Sequence, residues 1–200
     1  MKKSNVFAYW LDGNLYLNLT NRCSNACSFC VRNGKESYYG NALWLEHEPT
    51  ASEVLAQIPD RPFAEAVFCG FGEPTERLDV LKEVAGELKE RGCTVRLNTN
   101  GQGNLIHGRD ITTELAMCVD KVNVSLNAPT AAEYQSVCNS RYGAAAFDEL
   151  LRFACLCRDK SMETVLSVVD CIGESAVDAC RRLAEDLGLN LRVRAMIRDS

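Results

Sequence analysis

The stretch Asn18-Leu-Thr-Asn-Arg-Cys23-Ser-Asn-Ala-Cys27-Ser-Phe29-Cys30 places three cysteines at the spacing C-x3-C-x2-C, directly after a β-rich run at residues 15–19. With 11 cysteines in 200 residues, random placement would give that spacing about 0.03 times per chain. Core cysteines recur at helical or strand periods, whereas these crowd a loop with Asn, Arg and Ser, so metal binding accounts for them better than packing. A structural zinc site would want a fourth ligand, and the nearest candidates, His47 and Cys69, lack paired spacing. A four-iron cubane held by three thiolates keeps one iron without a protein ligand, and an open metal position is a mark of chemistry rather than scaffolding.

Around this loop, β-rich runs alternate with amphipathic segments. Residues 15–19, 66–69, 94–97, 122–126, 165–169 and 191–197 read as six strands. Leu78, Leu81, Val84, Ala85 and Leu88 follow helical spacing, with Gly92 behind them as a stop. The same pattern recurs around 147–155 and 176–187, and shorter helices are expected at 52–57, 112–117 and 131–136. Strand–helix alternation is the signature of a parallel α/β sheet. Several strands nevertheless alternate in polarity, with Arg96, Asn98 and Asn100 on one face, Asn123, Ser125 and Asn127 on another, and Arg192 and Arg194 on a third. If helices cover the apolar faces, these polar side chains point into a lumen, which suits an open barrel holding a polar ligand. Exposure of one sheet face to solvent is the competing reading.

At 200 residues the chain is expected to form one domain over 1–200, too short for an eight-unit barrel of about 250 residues. An apolar fraction of 46% and a charged fraction of 24% are ordinary for a globular protein. A net charge of −5 argues against nucleic acid as a partner. The N-terminal lysines run into Asp12 and Asn14 before any long apolar stretch, so neither signal peptide nor membrane span is expected, and the location is expected to be cytoplasmic. Cytosolic thiols stay reduced, which excludes a disulfide framework and leaves the eight cysteines outside the loop to core packing, with Cys69 and Cys171 set apart at strand ends.

The cysteine loop, with Phe29 at the aromatic position, resembles the signature of the radical S-adenosylmethionine superfamily. Phe68-Cys69-Gly70-Phe71-Gly72-Glu73-Pro74-Thr75, after the second strand, resembles that family's Gly-Gly-Glu-Pro element, with Phe71 interposed between the glycines. The resemblance implies a partial (β/α)6 barrel open on one side, a [4Fe–4S] cluster on Cys23, Cys27 and Cys30, and S-adenosylmethionine on its open iron. By the same likeness Gly70, Gly72, Glu73 and Pro74 receive the methionine amino group, and Phe29 belongs to the cofactor site. Leu97-Asn98-Thr99-Asn100-Gly101 resembles the family's third-strand ending, which places Asn98 beside the cofactor, although Asn100-Gly101 also reads as a plain turn. Val124-Ser125-Leu126-Asn127 resembles the fourth-strand element and places Ser125 and Asn127 there too. The implied chemistry is reductive cleavage to methionine and a 5′-deoxyadenosyl radical that abstracts hydrogen from an unidentified substrate, fed by an external one-electron donor. Arg96 and Arg194, if they face the lumen, point to an anionic substrate, against the alternative of structural ion pairs. An activase acting on a partner protein and an iron–sulfur carrier without turnover are the competing functions. The phrases Asn-Leu-Tyr-Leu-Asn-Leu-Thr-Asn-Arg-Cys and Cys-Gly-Phe-Gly-Glu-Pro-Thr are similar to the TatD-nuclease-associated subgroup, which implies association with such a nuclease.

Overall fold

The structure, a computed structural model, describes residues 3–197. Asp12 and Gly13 both take left-handed backbone angles, φ 50° and 77°, and reverse the chain between β1 (Ala8–Leu11) and β2 (Asn14–Leu17). An Asp-Gly pair suits a two-residue hairpin turn whose twist matches its strands. From β2 onward the strands run parallel: β3 (Glu65–Phe68), β4 (Thr94–Thr99), β5 (Lys121–Ser125), β6 (Glu163–Val169) and β7 (Asn190–Arg194). They lie side by side in chain order, so β1 and β7 form the two edges and the sheet stays open. Six parallel strands match the expected α/β partial barrel, and the antiparallel β1 adds a seventh.

Helices fill the crossovers: α1 (Ala51–Ala56), α2 (Leu78–Glu90), α3 (Gly103–His107), α4 (Thr112–Leu115), α5 (Ala131–Cys138), α6 (Ala145–Asp159) and α7 (Glu174–Asp186). Thr50 opens α1 with a reciprocal capping box to Glu53. On α2, Leu81, Val84, Ala85 and Leu88 are wholly buried in one cluster with Val95 and Leu97 of β4 and Val122 and Val124 of β5. Each such Leu or Val contributes about 1.5–3 kcal/mol through the apolar surface it removes from water. The main core therefore lies between helices and sheet; on the opposite face a smaller cluster of Tyr9, Leu43 and Phe71 covers the β1–β2 end, and β4 and β5 present polar side chains. Along β4 and β5 burial alternates strictly, with Arg96, Asn98, Asn123 and Ser125 half-buried on the inner face. Alternating polarity thus marks a lumen, not a sheet face turned to bulk water. At the strands' N-terminal end the lumen is closed by charge: Arg96 Nε lies 2.7 Å from Glu65, and Lys121 reaches Glu65 at 3.3 Å and Glu163 at 3.8 Å.

Candidate functional site

The β2–α1 connection carries the three cysteines, and the β3–α2 connection carries the glycine strip. Their packing explains the glycines. A Cβ on Gly72 would stand 2.2 Å from the Thr20 carbonyl oxygen and 2.6 Å from that of Arg22, and one on Gly70 would overlap the Asn18 side chain. The strip therefore lies flat against the start of the cysteine loop, where the Glu73 amide donates to the Arg22 carbonyl at 2.7 Å. The Arg32 guanidinium ties the loop to the strip, donating at 3.0 Å to the carbonyls of both Asn21 and Phe71. On its other side the loop is pinned to the end of α5, where Ala26 and Ser28 donate to the Cys138 and Val137 carbonyls.

Glu73 is fully enclosed and accepts four hydrogen bonds: from the Thr75 amide at 3.1 Å, the Thr75 and Thr99 hydroxyls at 2.8 and 2.7 Å, and the Asn100 amide at 2.7 Å. Burial raises its carboxyl pKa, against the pull of those donors. The side chain thereby clamps the strip to the end of β4. Pro74 opens a short 3-10 turn, Pro74–Arg77, and is buried there. Past β4, Asn100 donates to Ser24 Oγ at 2.8 Å and approaches the Cys23 sulfur at 3.8 Å, while Gly101 takes φ 75°. The Asn-Gly pair is therefore a turn and a loop anchor at once. A buried polar cluster continues from it: Gln102 donates to Asn25 Oδ1 and to the Tyr134 hydroxyl, and Ser140 donates to Gln102.

These elements enclose a cavity of about 230 Å³. Cys23, Cys27, Cys30, Phe29, Gly70, Gly72, Glu73, Asn98, Ser125 and Asn127 all line it, so ten of the eleven residues singled out from sequence converge, and Pro74 alone lies behind the wall. Asn127 sits at φ 57°, and its Oδ1 is buried without a partner. Burial, with Glu73 nearby, pushes the Cys23 thiol up to about 12. Cys27 hydrogen-bonds to Cys138; that bond and burial raise the Cys27 thiol, while the same bond lowers Cys138 against its burial, helped by Asn127 Nδ2 donating at 3.7 Å. Among the described residues no three Cys, His, Asp or Glu side chains stand at joint metal-binding distance. The donor set and the unpaired Asn127 oxygen fit a thiolate-held cluster with a polar ligand beside it.

A second cavity, of about 770 Å³, opens from the first and shares Cys69, Gly70, Phe71, Asn98, Ser125 and Arg194 with it. Asn123 donates to Asn98 at 3.1 Å across its floor, and the Tyr9 hydroxyl donates to the Cys69 carbonyl at 3.1 Å. Arg96 and Glu65 are each 13% exposed; their 2.7 Å approach is too far off line for a hydrogen bond, so it acts as a Coulombic pair. Arg96 is therefore the structural ion pair of the two alternatives. Arg194 is exposed on the edge strand β7; partial desolvation by the atoms packed around its guanidinium, with Arg192 beside it, holds its pKa below the usual guanidinium value.

The other sequence candidates lie elsewhere. His47 contacts Glu53 at 2.8 Å and His107 the Thr75 carbonyl at 2.7 Å. All 11 cysteines are free thiols. Cys118, Cys157 and Cys180 are buried in the core as expected, whereas Cys138 is both buried and in contact with the cysteine loop. Among the described residues no helix is long and apolar enough to cross a membrane.

A protein of Thermococcus kodakarensis named Probable GTP 3′,8-cyclase is 31% identical over 125 residues, 62% of this chain and 38% of its own. A protein of Methanocaldococcus jannaschii, provisionally named a glycyl-radical enzyme activating enzyme, is 33% identical over 81 residues, 40% of this chain and 30% of its own. The chain thus spans about a third of the length of the curated relatives it matches. Among solved structures, a radical SAM methyltransferase from Sphaerobacter thermophilus superposes with a TM-score of 0.66 at 20% identity, over 94% of this chain and 57% of that one. SuiB of Streptococcus suis, solved with S-adenosylmethionine, superposes with a TM-score of 0.66 at 15% identity, over 91% of this chain and 38% of that one. Residues 17–179 match the Radical SAM superfamily model, and the chain belongs to that superfamily, whose enzymes use a [4Fe–4S] cluster and S-adenosylmethionine.

Proposed function

We propose that this chain is the core, over residues 1–200, of an enzyme that binds the cluster through Cys23, Cys27 and Cys30 and holds S-adenosylmethionine in the cavity between the cysteine loop and the glycine strip. One observation carries the reading: the three cysteines, a flat glycine strip and Asn127, whose amide oxygen is buried without a partner, all line one small cavity. When bound, the cluster supplies the electron that cleaves the sulfonium, giving a 5′-deoxyadenosyl radical for hydrogen abstraction from the substrate.

The chain's own residues position and enclose. Gly70 and Gly72 let the strip lie flat on the cysteine loop, so that backbone amides and carbonyls of the strip border the cavity for the methionine end of the cofactor. Glu73 fixes that strip through its four donors, and Asn127, Ser125 and Asn98 offer polar atoms along the wall that continues to the larger cavity. Phe29 and Phe71 shield the site from water, which a reactive carbon radical requires.

The substrate on this reading is a small molecule with an anionic group. An external one-electron donor, a cytoplasmic location and association with a TatD-family nuclease belong to the same proposal, the last resting on the two sequence phrases alone. Likeness to a glycyl-radical activating enzyme gives a second reading, in which the substrate is a partner polypeptide reached through the open barrel flank. Anaerobic reconstitution with iron and sulfide, then dithionite and cofactor, should release methionine and 5′-deoxyadenosine. Alanine at each of Cys23, Cys27 and Cys30 should lower bound iron to background. Bound zinc in place of iron, or iron retained by all three variants, would sink the proposal. A glycine-centred radical signal that needs a partner protein selects the activase reading.

A further inference from the structure

Two of the three arginines in the larger cavity have no counter-ion among the described residues. Arg96 is paired with Glu65. Arg192 and Arg194 are two positions apart on β7, which sets both on its inner face about 7 Å apart. Neither forms a hydrogen bond or ion pair with any described residue. Asp12 is the only carboxylate among the described residues lining this cavity. Both side chains are exposed on the edge strand, and Arg192 also lines a smaller pocket with Glu65 and Glu163, yet the larger cavity carries an excess of positive side chains in a protein of net charge −5. Tyr16 and Tyr38 line the same space, and burial lifts the Tyr38 phenol to about 12, which keeps it a neutral donor. At about 770 Å³ the cavity is of the size that takes a small molecule whole.

We propose that Arg192 and Arg194 form an anion subsite that holds a dianionic group, a phosphate monoester or a dicarboxylate, on a small-molecule substrate. The paired donors set the class: each guanidinium offers a planar fork suited to oxygen pairs, so one group carrying several anionic oxygens engages both. Tyr16 and Tyr38 supply further hydrogen bonds. Arg194 also lines the cysteine-lined cavity, so an anion held between the two arginines directs the rest of its molecule toward that cavity. This deepens the proposed function, because it rests on the smaller cavity being the cofactor's.

The test is calorimetric titration of anaerobically reconstituted protein with inorganic phosphate, and separately with malonate. At least one of them should bind with saturation. Arg192→Gln and Arg194→Gln should each weaken that binding about tenfold or more, the loss of one charge-assisted contact. Asp12→Asn should tighten it severalfold; Asn tolerates the left-handed angle at that position, and a tighter complex cannot arise from misfolding. Preference for phosphate over malonate, or the reverse, identifies which dianion is read. No saturable binding of either anion, or binding unchanged in both arginine variants, overturns the subsite. Formation of 5′-deoxyadenosine by the wild-type protein without added anion reports on the cofactor separately. Deoxyadenosine without anion binding removes only the subsite, whereas arginine-dependent anion binding without deoxyadenosine leaves the subsite and removes the cofactor reading.

Discussion

Gly72 is the residue with least freedom, since the atoms that a Cβ would meet at 2.2 and 2.6 Å are backbone oxygens of the cysteine loop. Gly72→Ala must therefore push the strip and the loop apart, at a cost of about 1–3 kcal/mol. A fall in melting temperature of several degrees and reduced iron retention after reconstitution are expected; an unchanged iron content would show the two segments to be uncoupled. Glu73→Gln tests the neighbouring clamp. One carboxylate oxygen accepts from Thr75 and Thr99 and the other from the Asn100 amide, so an NH2 group in place of either leaves a buried donor facing a donor. The expected loss is about 1–3 kcal/mol in denaturant unfolding for each donor stranded. Sequence made Gly72 and Glu73 legible because they stand in a contiguous motif. It could not show Arg32, Asn25, Gln102 or Tyr134, whose partners are distant in the chain: Asn25 and Tyr134 meet at 2.9 Å across 109 positions, and no local period records such a pairing.

At the scale of elements, apolar periodicity located the long helices to within a few residues, because α2, α6 and α7 each bury one stripe on the sheet. Helix α3 escaped it, since five residues are too few to display a period. Strand β1 escaped as well, although Asp12-Gly13 between two apolar runs is a hairpin signal, and the last strand ends at Arg194 where Ala195–Ile197 turn along the cavity wall. Short α4 is held to α2 by charge: Glu114 contacts Lys82 at 2.6 Å and also bonds Arg109. Those two bonds hold the Glu114 carboxyl at about 2, well below its usual 4.5. A depressed folded-state value means stabilisation that is present above the unfolded value and lost as pH falls through the folded one. Glu114→Gln should therefore lower the melting temperature at pH 7, with the deficit shrinking below about pH 4.5 and vanishing near pH 2. A deficit independent of pH across that range would assign the loss to packing instead of charge.

For the molecule as a whole, the sheet buries its outer face under helices and leaves its inner face for ligands, so one end of the lumen has to be sealed. Polar alternation on β4, β5 and β7 announced that lumen in the sequence, but nothing there could say which arginine is neutralised, because Glu65 lies 31 positions before Arg96. The Glu65, Arg96, Lys121 and Glu163 group forms the seal, and with Arg96 and Glu65 each 13% exposed the pair is largely desolvated. Removing one member of such a pair leaves the other charge without compensation, which costs about 3–5 kcal/mol, whereas replacing both by apolar groups is often neutral. Glu65→Gln should thus destabilise the fold strongly, and the double variant Glu65→Leu, Arg96→Met should recover most of the loss in denaturant unfolding. The single variant also frees a third guanidinium within the larger cavity. If that cavity acts on charge as a unit, Glu65→Gln should bind inorganic phosphate or malonate more tightly than wild type while unfolding more easily. Stability and anion affinity moving in opposite directions would distinguish a released charge from general loosening of the barrel, in which both fall together.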